Sequence, residues 1–88
     1  MAGYRVFIKP SASKELEALG TRRDRQRVAE RIRALAQDPR PSGCQKLSGA
    51  EKYRLRCGVY RVVYAISDAD LAVRVVKVGH RSNVYRDQ

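Results

Sequence analysis

The chain has 88 residues, with 19 Lys and Arg against 9 Asp and Glu, a net charge of +10, and 43% hydrophobic residues. That length supports one small core and excludes a multidomain enzyme, a full dinucleotide-binding fold or a large barrel. The hydrophobic share excludes general disorder, and no apolar run approaches the ~20 residues of a membrane span. The N-terminus carries no basic-then-apolar signal pattern. The expectation is one domain over residues 1–88, soluble and cytoplasmic, with a polyanionic partner and no membrane association. Two cysteines, Cys44 and Cys57, and a single histidine, His80, cannot form a four-ligand zinc site. No metal and no cofactor are expected.

Residues 3–9 alternate, with Tyr4, Val6 and Ile8 opposed to Arg5, Phe7 and Lys9, which is strand periodicity. Pro10 stops it. Ser11 or Ser13 can cap a short helix that carries Ala12, Leu16 and Leu19 on one side and ends at Gly20. Thr21 and Asp24 have capping-box spacing. Val28, Ile32, Leu35 and Ala36 then recur at helical spacing, so residues 22–37 read as an amphipathic helix. Asp38-Pro39 ends it, because a residue before proline is pushed out of the helical region. Residues 39–51 read as a loop with a short extended piece at Cys44–Leu47.

The remainder reads as a meander of strands 52–57, 60–66 and 70–79. Gly58-Val59 fits a two-residue type II′ hairpin turn. That turn sets Cys57 against Tyr60, Arg56 against Arg61, Leu55 against Val62 and Tyr53 against Tyr64. A second turn at Asp68-Ala69 would set Ile66 against Leu71 and Tyr64 against Val73. Alternation then sorts the side chains. Tyr53, Leu55, Cys57, Tyr60, Val62, Tyr64, Ile66, Leu71, Val73 and Val75 share a core face. Lys52, Arg54, Arg56, Arg61 and Arg74 share the other. The expected fold is α+β: a strand, two helices, then a three-stranded antiparallel meander, with both helices on one sheet face.

The charges are not spread evenly. Residues 52–61 carry four cations and no acid, and so do residues 74–86. Arg56 facing Arg61 places like charges directly opposite, a destabilising arrangement. Such local conflict points to an anion site. Residues 22–33 carry six Arg against two acids, which reads as a solvated helix face.

Three segments carry a family resemblance. Tyr53-Arg54-Leu55-Arg56, Tyr60-Arg61-Val62-Val63-Tyr64 and Val78-Gly79-His80-Arg81-Ser82-Asn83-Val84-Tyr85 resemble the RelE branch of the RelE/ParE toxin superfamily. Element order and length agree over essentially the whole chain. The resemblance implies the toxin of a type II toxin–antitoxin system, a metal-independent endoribonuclease. Such toxins enter the ribosomal A site, cut mRNA there and halt translation. It implies a cognate antitoxin as partner, with operator DNA reached through the toxin–antitoxin complex.

The same resemblance puts catalytic roles on Arg54, Arg56, Arg61, Arg81 and Tyr85. Arg54 and Arg56 stand where well-studied members have lysines, and the hairpin turn is shorter than in some. Cleavage by the 2′-OH needs a base, an acid for the leaving oxygen, and positive charge for the phosphorane-like transition state. Arg supplies the third as a permanently charged bidentate donor. Tyr85 is either a stacking platform or an acid–base group. Lys52, Arg74, Lys77, His80 and Arg86 are expected to contact RNA or phosphate. His80 is the one side chain of a type that ordinarily titrates near neutrality, but if the strand continues, alternation puts it on the other side from Arg81. Two rivals remain: a ParE-like inhibitor of DNA gyrase without RNase activity, and a non-catalytic RNA- or ribosome-binding module.

Overall fold

The computed structural model describes residues 3–47 and 51–80. Chain order is β1 (Arg5–Ile8), α1 (Pro10–Glu17), α2 (Arg22–Ala34), β2 (Cys44–Lys46), β3 (Lys52–Cys57), β4 (Tyr60–Ser67) and β5 (Ala72–His80). The α+β class, the two helices and the antiparallel meander are as the sequence indicates. The sheet is larger than the meander, however. It has five strands in the order β1-β5-β4-β3-β2. β1 lies parallel to β5, with Val6 beside Val73 and Ile8 beside Val75. The short piece at Cys44 is an antiparallel edge strand on β3.

Both helix starts have identifiable causes. Pro10 ends β1 and also opens α1, whose cap is Lys9 without a side-chain bond. Neither Ser11 nor Ser13 serves as the cap. Proline suits the first helical position because the N–H it lacks would have no intrahelical partner there. Thr21 caps α2 by accepting from the Asp24 N–H at 3.1 Å. Regular α2 stops at Ala34, with Leu35 as its C-cap, so residues 35–37 form turns instead of the helix end expected from periodicity.

The first hairpin has the expected register, including Arg56 opposite Arg61. Gly58 takes φ +62° while Val59 stays outside the positive region, as a type II′ turn requires. The second hairpin differs. Its loop runs over residues 68–71, so Ile66 faces Val73 and Tyr64 faces Val75. Leu71 is therefore a loop residue at φ +50° and exposed, not a core residue. The two-residue slip preserves side-chain parity, and Val73 and Val75 remain buried. An irregularity at Val63/Tyr64 then shifts the register by one residue. Glu15 of α1 accepts from the Val78 N–H at 2.9 Å and from Lys77 Nζ at 2.8 Å just beyond it.

One core forms between the helices and one face of the sheet. Ala12, Leu19, Val28, Ile32 and Leu35 meet Leu55, Val62, Tyr64, Val73, Val75 and Val78. Tyr64 is fully buried and donates to the Pro39 carbonyl at 2.8 Å. Burial raises its pKa well above the usual phenol range. At the sheet's end, Asp68 accepts from Tyr4 and Arg40, which ties β1, the loop after α2 and the β4–β5 loop together. Among the described residues no helix is long and apolar enough to cross a membrane.

Candidate functional site

The face turned away from the helices carries the basic residues. Arg54 and Arg56 alternate with Tyr53, Leu55 and Cys57 along β3, and Arg61 joins them across the hairpin. The three guanidinium side chains line one cleft of about 230 Å³, together with Gly43, Cys44 and Gln45. β2 forms the far wall. Gly43 takes φ +90°, a left-handed conformation that favours glycine. Its carbonyl accepts from the Arg56 backbone N–H.

The three arginines are held differently. Arg61 is only 6% exposed, and its Nη1 donates to the carbonyls of Gly58 and Tyr60 at 3.2 and 3.1 Å. The hairpin's own backbone thus fixes its guanidinium. The sequence placed Arg61 on an open surface; the structure keeps the face but buries the residue. Arg54 is half-buried, and its Nη2 donates to Gln45 Oε1. Arg56 is exposed at the mouth. Among the described residues no carboxylate forms an ion pair with Arg56 or Arg61, and no carboxylate or imidazole is in the cleft lining. Opposed guanidinium groups without a carboxylate between them suit a phosphate bridged by several bidentate donors.

The other candidate residues divide by position. Lys52 lies on the same face, two residues from Arg54, but outside the cleft. Arg74 also lies there, paired with Ala65 near the other end of β4. Lys77 is drawn to the helix side, where Glu15 holds its ammonium. His80 pairs with Tyr60, their rings edge to face at 6.2 Å. Both line a separate cleft of about 390 Å³ with Glu15, Lys77 and Gly20. The Tyr60 hydroxyl donates to Asp24 at 3.0 Å, which raises its pKa. So His80 and Lys77 do not join the arginines. Arg81, Tyr85 and Arg86 lie outside the described residues.

Gln45 and Gly43 are the site residues that sequence reasoning missed. Their signal was present but weak: an isolated extended tripeptide after a glycine, with no turn to fix its pairing. Among the described residues no three His, Cys, Asp or Glu side chains gather as metal ligands would.

This architecture recurs in known proteins. The family model of the ParE toxin of type II toxin–antitoxin systems, parDE, matches residues 6–85. A chain of the archaeal RelE–RelB complex from Pyrococcus horikoshii OT3 is 31% identical. It superposes with a TM-score of 0.80, over 92% of this chain and 97% of that one. A chain of the toxin–antitoxin complex RelBE2 from Mycobacterium tuberculosis is 28% identical, with a TM-score of 0.78 over 90% and 99% of the two chains. The isolated RelE toxin of E. coli is 31% identical, with a TM-score of 0.72 over 96% and 93%. No curated protein sequence matches. The chain belongs to the RelE/ParE superfamily and is a RelE-type toxin of a type II toxin–antitoxin system.

Proposed function

We propose that this toxin is a ribosome-dependent, metal-independent endoribonuclease that cuts mRNA in the ribosomal A site. The observation that carries the reading is the convergence of Arg54, Arg56 and Arg61 on one cleft whose lining includes no carboxylate. In the proposed mechanism the 2′-OH attacks the adjacent phosphate and the 5′ oxygen leaves. The buried, backbone-held Arg61 is pre-organised to stabilise the phosphorane-like charge, so little reorganisation is needed as charge develops. Arg54, steadied by Gln45, and Arg56 hold the phosphate backbone. Arg81 adds to the charge stabilisation. Tyr85 acts either by stacking on a base or in proton transfer, since the described cleft lining offers neither carboxylate nor imidazole for that step.

The proposed partners are the ribosome, its mRNA and a cognate antitoxin that neutralises the toxin. Operator DNA would be bound through the toxin–antitoxin complex. Support for the antitoxin comes from relatives solved as complexes with their own antitoxins. An exposed basic face on a small domain suits an acidic partner segment.

Primer extension on mRNA bound to ribosomes with an open A site tests the activity. Wild type should give a codon-positioned cut that disappears without ribosomes. Arg81→Ala should slow it by about 10²-fold or more, the scale for losing a transition-state donor, and Arg56→Ala should weaken binding of the mRNA more than it slows the bound cut. No cut from a growth-arresting wild-type preparation would overturn the reading. The match to the ParE family model favours gyrase inhibition as the second reading. Loss of supercoiling activity of purified gyrase on adding the toxin would then support it.

A further inference from the structure

The same sheet face carries a second row of functional groups. Lys52, Ala65, Arg74 and Phe7 lie side by side across β3, β4, β5 and β1. The row of Arg56, Arg61 and Gly79 crosses the same sheet four residues earlier along β4, about 13 Å away at ~3.3 Å per residue. Phe7 is 47% exposed, which is unusual for the largest apolar side chain of a small domain. The Arg5 guanidinium lies over its ring, 5.6 Å from the centroid.

Arg5, Phe7 and Arg74 line a shallow cleft of about 350 Å³ with Ala65, Ser67 and Ala72. Asp70 also lines it, and its carboxylate accepts from the Ser67 hydroxyl at 3.0 Å. Among the described residues no ion pair joins Lys52, Arg5 or Arg74 to an acid. An exposed ring between cations is the arrangement that binds a single strand. The ring stacks on a base, and the cations follow the phosphates.

We propose that this row is a platform for the stretch of RNA flanking the phosphate in the arginine cleft. One base stacks on Phe7, and Arg74 and Lys52 hold the adjoining phosphates. The proposal rests on the cleft being an RNA site, and it adds a base-stacking position that neither charge nor family resemblance assigns. Single-strand sites start at about four nucleotides, which makes one strand spanning both rows reasonable. A purely electrostatic surface would not need Phe7 uncovered. An apolar protein-docking patch would not flank it with Arg5 and Arg74.

The test is fluorescence anisotropy with a 2′-O-methylated dodecaribonucleotide, which lacks the 2′-OH nucleophile and stays intact. Phe7→Leu should weaken binding about tenfold, whereas Phe7→Trp should bind at least as well as wild type. Arg74→Gln should lower the salt slope by about 0.7, the loss of one phosphate contact. Arg56→Gln reports on the cleft independently. If Arg56→Gln weakens binding while Phe7→Leu and Arg74→Gln do not, the platform is overturned and the cleft reading stands. If Phe7→Leu and Arg74→Gln weaken binding while Arg56→Gln does not, the cleft fails as an RNA site and the platform, as a flank of that cleft, is overturned with it. If wild type fails to bind at low salt, or if Phe7→Leu instead impairs binding of an acidic peptide alone, the platform is overturned. Should Phe7→Leu fail to fold, Phe7→Tyr and the surface variant Arg74→Gln carry the test.

Discussion

The two faces of the sheet come from the same alternation of residues, yet they are held by opposite physics. On the helix side, Leu55, Val62, Tyr64, Val73 and Val75 are buried against Val28, Ile32 and Leu35. Each contact there reinforces the next. On the other side, Arg56 stands opposite Arg61, and Arg54 is two residues away. That grouping is unfavourable by itself. It persists because the hairpin register is already set by the core residues between the arginines. The stability of one face thus holds in place a charge arrangement that would not assemble alone, which is how a domain this small can present a preformed cluster of guanidinium groups.

Leu55→Ala should have the largest effect. Leu55 is fully buried between the two site arginines of β3, and its truncation should destabilise by about 2–5 kcal/mol. Urea denaturation should show the loss, and a value near zero would break the contrast between the faces. Tyr64→Phe keeps the ring but leaves the Pro39 carbonyl without its donor. A loss of about 1–2 kcal/mol is expected by the same measurement.

Arg56→Gln should do the reverse and stabilise the fold by about 0.2–1 kcal/mol, because it relieves the like-charge pair. The gain should shrink in high salt, since Arg56 is exposed and salt screens such pairs. Destabilisation by Arg56→Gln would mean that the arginine face supports itself.

The smallest effect concerns pH at the Asp68 clamp. The Arg40 guanidinium, followed by the Tyr4 hydroxyl, holds the Asp68 carboxyl below its ordinary value of 3.8. A carboxyl lowered in the folded state adds stability that is complete above its unfolded value and lost as pH falls through the folded one. Melting temperature should therefore drop below about pH 4 in wild type. Asp68→Asn should show a shallower drop over that window.

Much of the fold was legible locally. The Thr21 cap, the Gly58 turn and the first hairpin's register each depend on residues within a few positions of one another, and all three formed as read. The split between core and basic faces was equally legible, because burial follows parity. Pro10 marks the end of β1 in the sequence, and the structure adds that it also opens α1, since proline suits the first helical position. A two-residue loop puts Leu71 in the core, whereas the observed four-residue loop leaves it exposed. The sequence alone does not distinguish the two loops, because a slip of two keeps every other side chain on its face.

The sequence by itself determined which side chains share a face, where the first hairpin turns, and that one face would be strongly basic. Tertiary structure decided how far along the sheet each cation sits. The longer β4–β5 loop and the register shift at Val63/Tyr64 moved β5, so that Lys77 met Glu15 and Arg74 came beside Ala65. Parallel docking of β1 on β5 brought Phe7 next to Arg74. β2 closed the arginine cleft with Gly43 and Gln45. Side-chain parity is fixed by the pleat and survives any even slip, whereas position along a strand changes by about 7 Å with each such slip. Only packing against the helices and the neighbouring strands selects among those positions.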